Sequence, residues 1–251
     1  MSEIIQGLWI GSELSVMEQL SLSSFIRNGH EYHLYVYDDV KNIPAGTTVK
    51  DAAEILPAAS IFQYPQRPSY AGFANFFRYK LLLERGGWWA DTDIVCLTPF
   101  DFATEFVFAS EISKGAEVLT SGVIKTPAGS DVMAYAWGVC QTKSPEQLVW
   151  GETGPRLIAD AVRKFGLEQY AQPHYVFSPL GFWEWRSVLE SDGQAALAPG
   201  TRAIHLWNEK WREAGQDKNA AYPESCLYEQ LKRKYCGAGV ASVEAQSGAV
   251  A

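Results

Sequence analysis

The run Arg78-Tyr79-Lys80-Leu81-Leu82-Leu83-Glu84-Arg85-Gly86-Gly87-Trp88-Trp89-Ala90-Asp91-Thr92-Asp93 constrains this chain more than any other. It reads as a helix carrying an arginine, stopped by Gly-Gly, then a short apolar strand ending in two carboxylates. Alternate residues of a strand project to one side, so Asp91 and Asp93 are expected to converge while Thr92 faces away. Ile94-Val95-Cys96-Leu97 is apolar again, and carboxylates lodged between buried segments must be paired or bound to a cation. Two convergent carboxylates suit a hard divalent cation that completes its oxygen shell with water and phosphate. Arg78, one helix upstream, supplies a cation for the same phosphates. The implied ligand is a metal-bound pyrophosphate such as a nucleotide-sugar carries. An Asp-x-Asp alone is more often a solvated turn; the apolar flanks and Arg78 weigh against that reading.

The rest of the chain narrows the options. With 47% hydrophobic and 13% aromatic residues among 251, it can bury a sizeable core. A formal charge of −8 opposes a nucleic-acid partner, whose phosphates need a basic face. It does not oppose a phosphate ligand, because a bound cation inverts the local electrostatics. Cys96, Cys140, Cys226 and Cys236 show no Cys-x-x-Cys spacing, so no zinc or disulfide framework is legible. The start lacks the pattern of a signal peptide, and no apolar run approaches a bilayer span. The expectation is a soluble, cytoplasmic protein; peripheral membrane association is not legible.

Ile4 to Ile10 reads as a buried strand. Ser15-Val16-Met17-Glu18 has capping-box spacing and opens a helix closed by Asn28-Gly29. Tyr32 to Tyr37 is a second strand. This β-α-β order builds a parallel sheet with a right-handed crossover, and ligands gather at the carboxyl ends of its strands, where Trp9, Asp38 and Asp91 would lie. Lys41 to Ser69 reads as a loop around one short helix, and Tyr70 to Arg85 as a helix. Strands are expected at 106–109, 118–125, 175–177 and 203–207. Helices are expected at 131–140, from Thr153-Gly154-Pro155 onward, and at 223–235. The expected organisation is one α/β domain over residues 1–236, a Rossmann-like, mainly parallel sheet flanked by helices. A disordered tail is expected over 237–251.

The spacing Asn75-x-x-Arg78, about eight residues, Gly86-Gly87-x-x-x-Asp91-x-Asp93 resembles the sugar-binding region of glycosyltransferase family 32. That family includes bacterial capsule enzymes and eukaryotic α-galactosyl- and mannosyltransferases, and its core is similar to the clostridial glucosylating toxins. Ile5-Gln6-Gly7-Leu8-Trp9-Ile10-Gly11 resembles its opening strand, and Ala203-Ile204-His205-Leu206-Trp207-Asn208 its closing segment. The resemblance implies a GT-A fold and a nucleotide-sugar donor, UDP- or GDP-linked, from which a hexose passes to the hydroxyl of a glycan or lipid-linked acceptor. It also implies a divalent metal, Mn²⁺ commonly and Mg²⁺ as the alternative, and retention at the anomeric carbon. Polysaccharide assembly is the setting the bacterial members suggest. One departure is plain: Asn75 stands where the family usually has Asp, keeping hydrogen-bonding capacity without charge.

The site expected from these readings places Asp91, Asp93 and Arg78 at the chemistry, with Asp91 and Asp93 on the metal. Asn75 and Arg78, three apart on a helix, share a face. Trp9 is either core or a base-stacking platform. Asp38 either binds the nucleoside or caps a turn. His205 is either a third metal or pyrophosphate contact or a core histidine, with Trp207 and Asn208 beside it. Glu152 is a carboxylate near the reacting sugar or a loop acid, and Trp183 and Trp185 are an acceptor-sugar platform or packing. The rival enzyme class is a metal-dependent phosphohydrolase or nucleotidyltransferase, which would want further carboxylates. The rival outside catalysis is a silent nucleotide-sugar-binding module.

Overall fold

The computed structural model describes residues 3–191 and 197–237. The tail expected from residue 237 lies, apart from Gly237, outside the described residues.

Strand β1 (Ile4–Trp9), helix α1 (Val16–Arg27) and strand β2 (Glu31–Val36) form the expected opening unit, with β1 and β2 parallel in register from Ile4↔Glu31 to Trp9↔Val36. The capping box forms as its spacing requires: the Ser15 N–H donates to Glu18 Oε2 at 2.9 Å. Within the segment read as loop lies a further parallel strand, β3 (Thr47–Asp51), paired to β2. It is an edge strand with no buried residue, so it carries none of the apolar alternation by which strands are found.

Helix α2 (Ala71–Arg85) ends at Gly86, and β4 (Gly87–Ala90) starts at once. Gly86 has φ +63°, and a Cβ there would lie 2.4 Å from the Ala128 nitrogen. Only glycine permits this close, left-handed junction. β4 lies parallel to β1 and antiparallel to β7 (Ala116–Thr126), which forms a hairpin with β6 (Val107–Ser113), giving the sheet order β3-β2-β1-β4-β7-β6. β5 (Ile94–Cys96) leaves this sheet and pairs antiparallel with β8 (Ala203–His205).

Successive residues of β4 serve opposite faces. Trp89 packs with Phe77, Leu81, Ile124, Met133 and Ile158 beneath α2, α3 (Asp131–Gln141) and α4 (Leu157–Lys164). Trp88 packs with Phe25, Tyr32, Leu34, Phe100 and Phe177 on the side of α1. A third cluster joins Met17 and Leu20 to Val95, Ile204 and Trp211, holding α6 (Asn208–Glu213) and α7 (Leu227–Cys236) against the β5–β8 pair. Residues 175–177, expected as a strand, belong instead to a short helix, α5 (His174–Phe177). Their apolar run is too short to distinguish the two states. Among the described residues no helix is long and apolar enough to cross a membrane.

Candidate active site

The carboxyl ends of β1 and β4 open into a cavity of about 440 Å³ lined by Trp9, Asn75, Arg78, Asp91, Asp93, His205, Trp207 and Asn208, among others. β4 stops at Ala90, one residue before the aspartates, which sit in a turn closed by the Ile94 N–H on the Asp91 carbonyl at 3.0 Å. Strand alternation therefore does not bring Asp91 and Asp93 together, as the sequence pattern had implied. A turn does, because the chain passes here from one sheet to the other.

Asp91 is fixed from three sides. Its backbone N–H donates to the Gly122 carbonyl at 2.9 Å, Trp89 Nε1 donates to its Oδ1 at 2.8 Å, and the Arg78 guanidinium lies 3.0 Å from the same oxygen. Arg78 is 3% exposed. Its Nε donates to the Ala74 carbonyl at 3.2 Å, another guanidinium nitrogen donates to the Ser121 carbonyl, and its plane lies 4.9 Å from the Trp89 ring. Burial pushes the Asp91 carboxyl above its ordinary value against the pull of Arg78, with Asp93 adding to the rise. An acid so placed, open to the cavity on one side, gains from any further cation there.

Asp93 is held by the second sheet. Ile94 pairs with His205 across β5–β8, which brings His205 Nε2 to 3.2 Å from Asp93 Oδ2. Trp207 adopts a left-handed conformation (φ 58°, ψ 51°), rare for a bulky residue and typical of functional turns. That turn points the Asn208 N–H at Asp93 Oδ2, 2.9 Å away. Burial raises the Asp93 carboxyl, but the charge and hydrogen bond of His205 and the Asn208 N–H outweigh it, so the net direction is down. His205 is opposed by burial yet held above its ordinary value by Asp93, then Asp91 and Glu111. Its ring stacks on Trp207 with centroids 3.8 Å apart, and its Nδ1 is enclosed without a hydrogen-bond partner.

Asn75 lies in the cavity wall between Thr153 and Ser121, with Nδ2 3.5 Å from Thr153 Oγ1 and Oδ1 accepting from Ser121 Oγ at 3.3 Å. Trp9 is half-buried, its Nε1 donating to the Glu13 carbonyl at 3.1 Å. Four other candidates stand apart from the cavity lining. Asp38 is exposed. Glu152 is paired with Lys143 at 2.5 Å. Trp183 is 53% exposed elsewhere, and Trp185 is buried against Trp211.

The sequence reading missed Glu111, Thr120, Ser121, Tyr64 and Trp150, all of which line the cavity. The first three come from the β6–β7 hairpin, where pairing breaks between Phe108↔Ile124 and Ser110↔Leu119. Residues 120–123 have no β6 partner there, and the Ser121 and Gly122 carbonyls instead accept from Arg78 and the Asp91 N–H. The polar Thr120-Ser121-Gly122 interrupting an apolar strand was the available signal.

Residues 15–111 match the family described as glycosyltransferase sugar-binding region containing DXD motif. Among solved structures, the PaToxG glycosyltransferase is similar at 15% identity, with 94% of this chain and 86% of that one covered and a TM-score of 0.51. GlyE of Streptococcus pneumoniae TIGR4 aligns at 13% identity over 94% of this chain and 64% of that one, with a TM-score of 0.46. The ligand-free glycosyltransferase domain of the YGT toxin aligns at 8% identity over 93% and 94%, with a TM-score of 0.45. No curated protein matches the chain. The chain has the GT-A fold, and its residues 15–111, which include Asp91 and Asp93, resemble the DXD-containing sugar-binding region of glycosyltransferases.

Proposed function

We propose that the protein transfers a hexose from a nucleotide-sugar, UDP-linked in the first instance, to a hydroxyl of a glycan or lipid-linked acceptor, with retention and with the help of a divalent cation. The observation that carries this reading is the convergence of Asp91, Asp93 and Arg78 on a cavity that also holds an indole, Trp9, at the end of β1. Trp9 would stack on the base, and Asn75, with Ser121 and Thr153 around it, would meet ribose or sugar hydroxyls.

The donor set fits a cation. Asp91 spends Oδ1 on Arg78 and Trp89, and Asp93 spends Oδ2 on His205 and Asn208. Each keeps a second oxygen with weaker or no commitments, the kind of ligand a hard ion takes. Among the described residues no three His, Cys, Asp or Glu side chains already form a metal cage, so such an ion would draw its remaining ligands from water and diphosphate. His205, engaged with Asp93, positions that carboxylate in this reading instead of serving as a third ligand. Bound there, the ion would neutralise charge on the leaving diphosphate.

The chain's own groups account for the remainder. Arg78 orients Asp91 and adds positive charge beside the diphosphate. The acceptor oxygen bonds to the anomeric carbon as the bond to the diphosphate oxygen breaks, and that departing oxygen takes the acceptor's proton. Such a front-face route needs no protein nucleophile and retains configuration. The test is a panel of UDP- and GDP-hexoses with Mn²⁺, following thermal shift and released nucleotide. Stabilisation and release by one donor class support the reading; no response to any nucleotide-sugar removes it. Release of phosphate from simple phosphate esters would favour a phosphohydrolase.

A further inference from the structure

Trp150 is 37% exposed, yet it is held firmly. The Arg67 guanidinium lies 4.2 Å from its ring centroid, and the Tyr64 ring is 4.9 Å away, tilted by 48°. Arg67 is itself anchored across the cavity mouth by Glu209 at 3.2 Å and Glu213 at 2.9 Å. Arg212 of the same helix donates to the Pro68 carbonyl and pairs with Glu209. Tyr64, Pro68, Trp150, Glu209 and Arg212 all line the cavity that holds the aspartates. One guanidinium thus ties three separate segments together around an indole left open to the site.

Building on the transferase reading above, we propose that Trp150 is the stacking platform for a pyranose ring of the acceptor, and that the acceptor is therefore a carbohydrate. An indole 37% exposed, packed against a guanidinium and lining the cavity, presents apolar ring surface beside hydrogen-bonding groups. A pyranose matches it, with an apolar C–H face and a rim of hydroxyls. Glu209 and Arg212, beside the platform, supply an acceptor and a donor for that rim. The base of the donor has a separate indole in Trp9, on β1. Trp183 and Trp185, which sequence suggested for the acceptor, do not line this cavity, so Trp150 takes their place. Arg67 positions the platform and makes no contact with the sugar in this scheme.

The experiment is saturation-transfer NMR with the full chain and the methyl glycosides of glucose, galactose, mannose and N-acetylglucosamine. It is run with and without UDP and Mn²⁺, alongside calorimetric titration of UDP. At least one glycoside is expected to bind the wild type. Trp150→Ala is expected to weaken that binding about tenfold, the loss of some 60 Å² of apolar contact, while UDP affinity stays within about twofold. Arg67→Ala is expected to weaken the glycoside by a smaller factor, and Trp150→Phe to retain part of the binding. Those two variants carry the test if Trp150→Ala fails to fold. The inference is overturned if no glycoside binds the wild type, if the ring variants bind glycosides as the wild type does, or if their main loss is in UDP binding. Failure of UDP to bind the wild type would instead count against the donor reading, because glycoside binding is also measured without nucleotide.

Discussion

Exchanging Arg78 for methionine is expected to destabilise the protein by about 3 kcal/mol, and combining it with Asp91→Asn to cost far less than the two changes summed. Arg78 is 3% exposed and 3.0 Å from Asp91. Removing one member of a buried pair costs about 3–5 kcal/mol, because the other charge is left uncompensated. Asp91 keeps 29% of its side chain open, where cavity water can solvate an orphaned carboxylate, so the lower end applies. Methionine preserves much of the stem's packing, and the Ser121 carbonyl that loses its donor adds about 1 kcal/mol at most. Asp91→Asn keeps an acceptor for Trp89 Nε1 but strands the more deeply buried guanidinium, at about 3 kcal/mol. The double variant strands neither charge, so it is expected to cost about 3 kcal/mol instead of about 6, a coupling of about 3 kcal/mol. Urea denaturation of the four proteins, compared at a common m-value, measures this. A coupling below about 0.5 kcal/mol would refute the claim that Arg78 and Asp91 act as one buried unit.

Three further outcomes are expected. Trp9→Ala should weaken UDP binding by about 1–3 kcal/mol, one base–aromatic stack; calorimetry that finds unchanged affinity assigns Trp9 to packing. Gly86→Ala should lower stability by at least about 2 kcal/mol, because φ is +63° and the new Cβ would meet Ala128 and Pro127 backbone atoms; an unchanged melt would mean that the α2–β4 junction relaxes freely. His30 accepts the Phe100 N–H on Nε2 at 2.9 Å and faces the Glu3 carbonyl through Nδ1 at 3.1 Å, so it folds neutral, and burial lowers its pKa from 6.5. The unfolded chain then binds the extra proton, so His30's contribution is complete above about pH 6.5 and falls as pH drops toward the lowered value. The melting temperature of the wild type should decline more steeply over this range than that of His30→Gln, and parallel curves would contradict the assignment.

Much of the frame was legible because its signals are local. A capping box, an Asn-Gly stop and apolar runs mark β1, α1, β2 and α2 within a residue or two, and the Gly-Gly junction marks the start of β4, which ends at Ala90 before the aspartates. What escaped was set by distant partners. β3 is exposed on an edge and reads as polar loop. α5 carries only three apolar residues in a row, and its state is decided by packing against β6. Asp91 and Asp93 both line the cavity, but their geometry depends on β5 leaving one sheet for another, which no strand periodicity reveals. His205 was weighed as a metal or pyrophosphate contact against a core histidine, and the structure places it 3.2 Å from Asp93, a contact across 112 residues. Trp183 and Trp185 looked as suited to a sugar as Trp150 does, since an indole's surroundings, and not its identity, decide whether it faces a cavity. Thr120-Ser121-Gly122 was the one clue left unread in the chain.

The central claim is that Asp91 and Asp93 hold a cation against the diphosphate of a nucleotide-sugar, and the most direct measurement is nucleotide release from the best-bound donor. Wild type and Asp93→Ala would be compared with Mn²⁺ and with chelator, beside their melting curves. Asp93 lies in a turn at the cavity and fills no core cluster, so its loss should spare the fold apart from about 1–2 kcal/mol for its two hydrogen bonds. Mn²⁺-dependent release by the wild type, abolished by chelator and by Asp93→Ala in a folded protein, is the expected result. Release that persists at full rate in chelator, or in the folded Asp93→Ala variant, would contradict the claim.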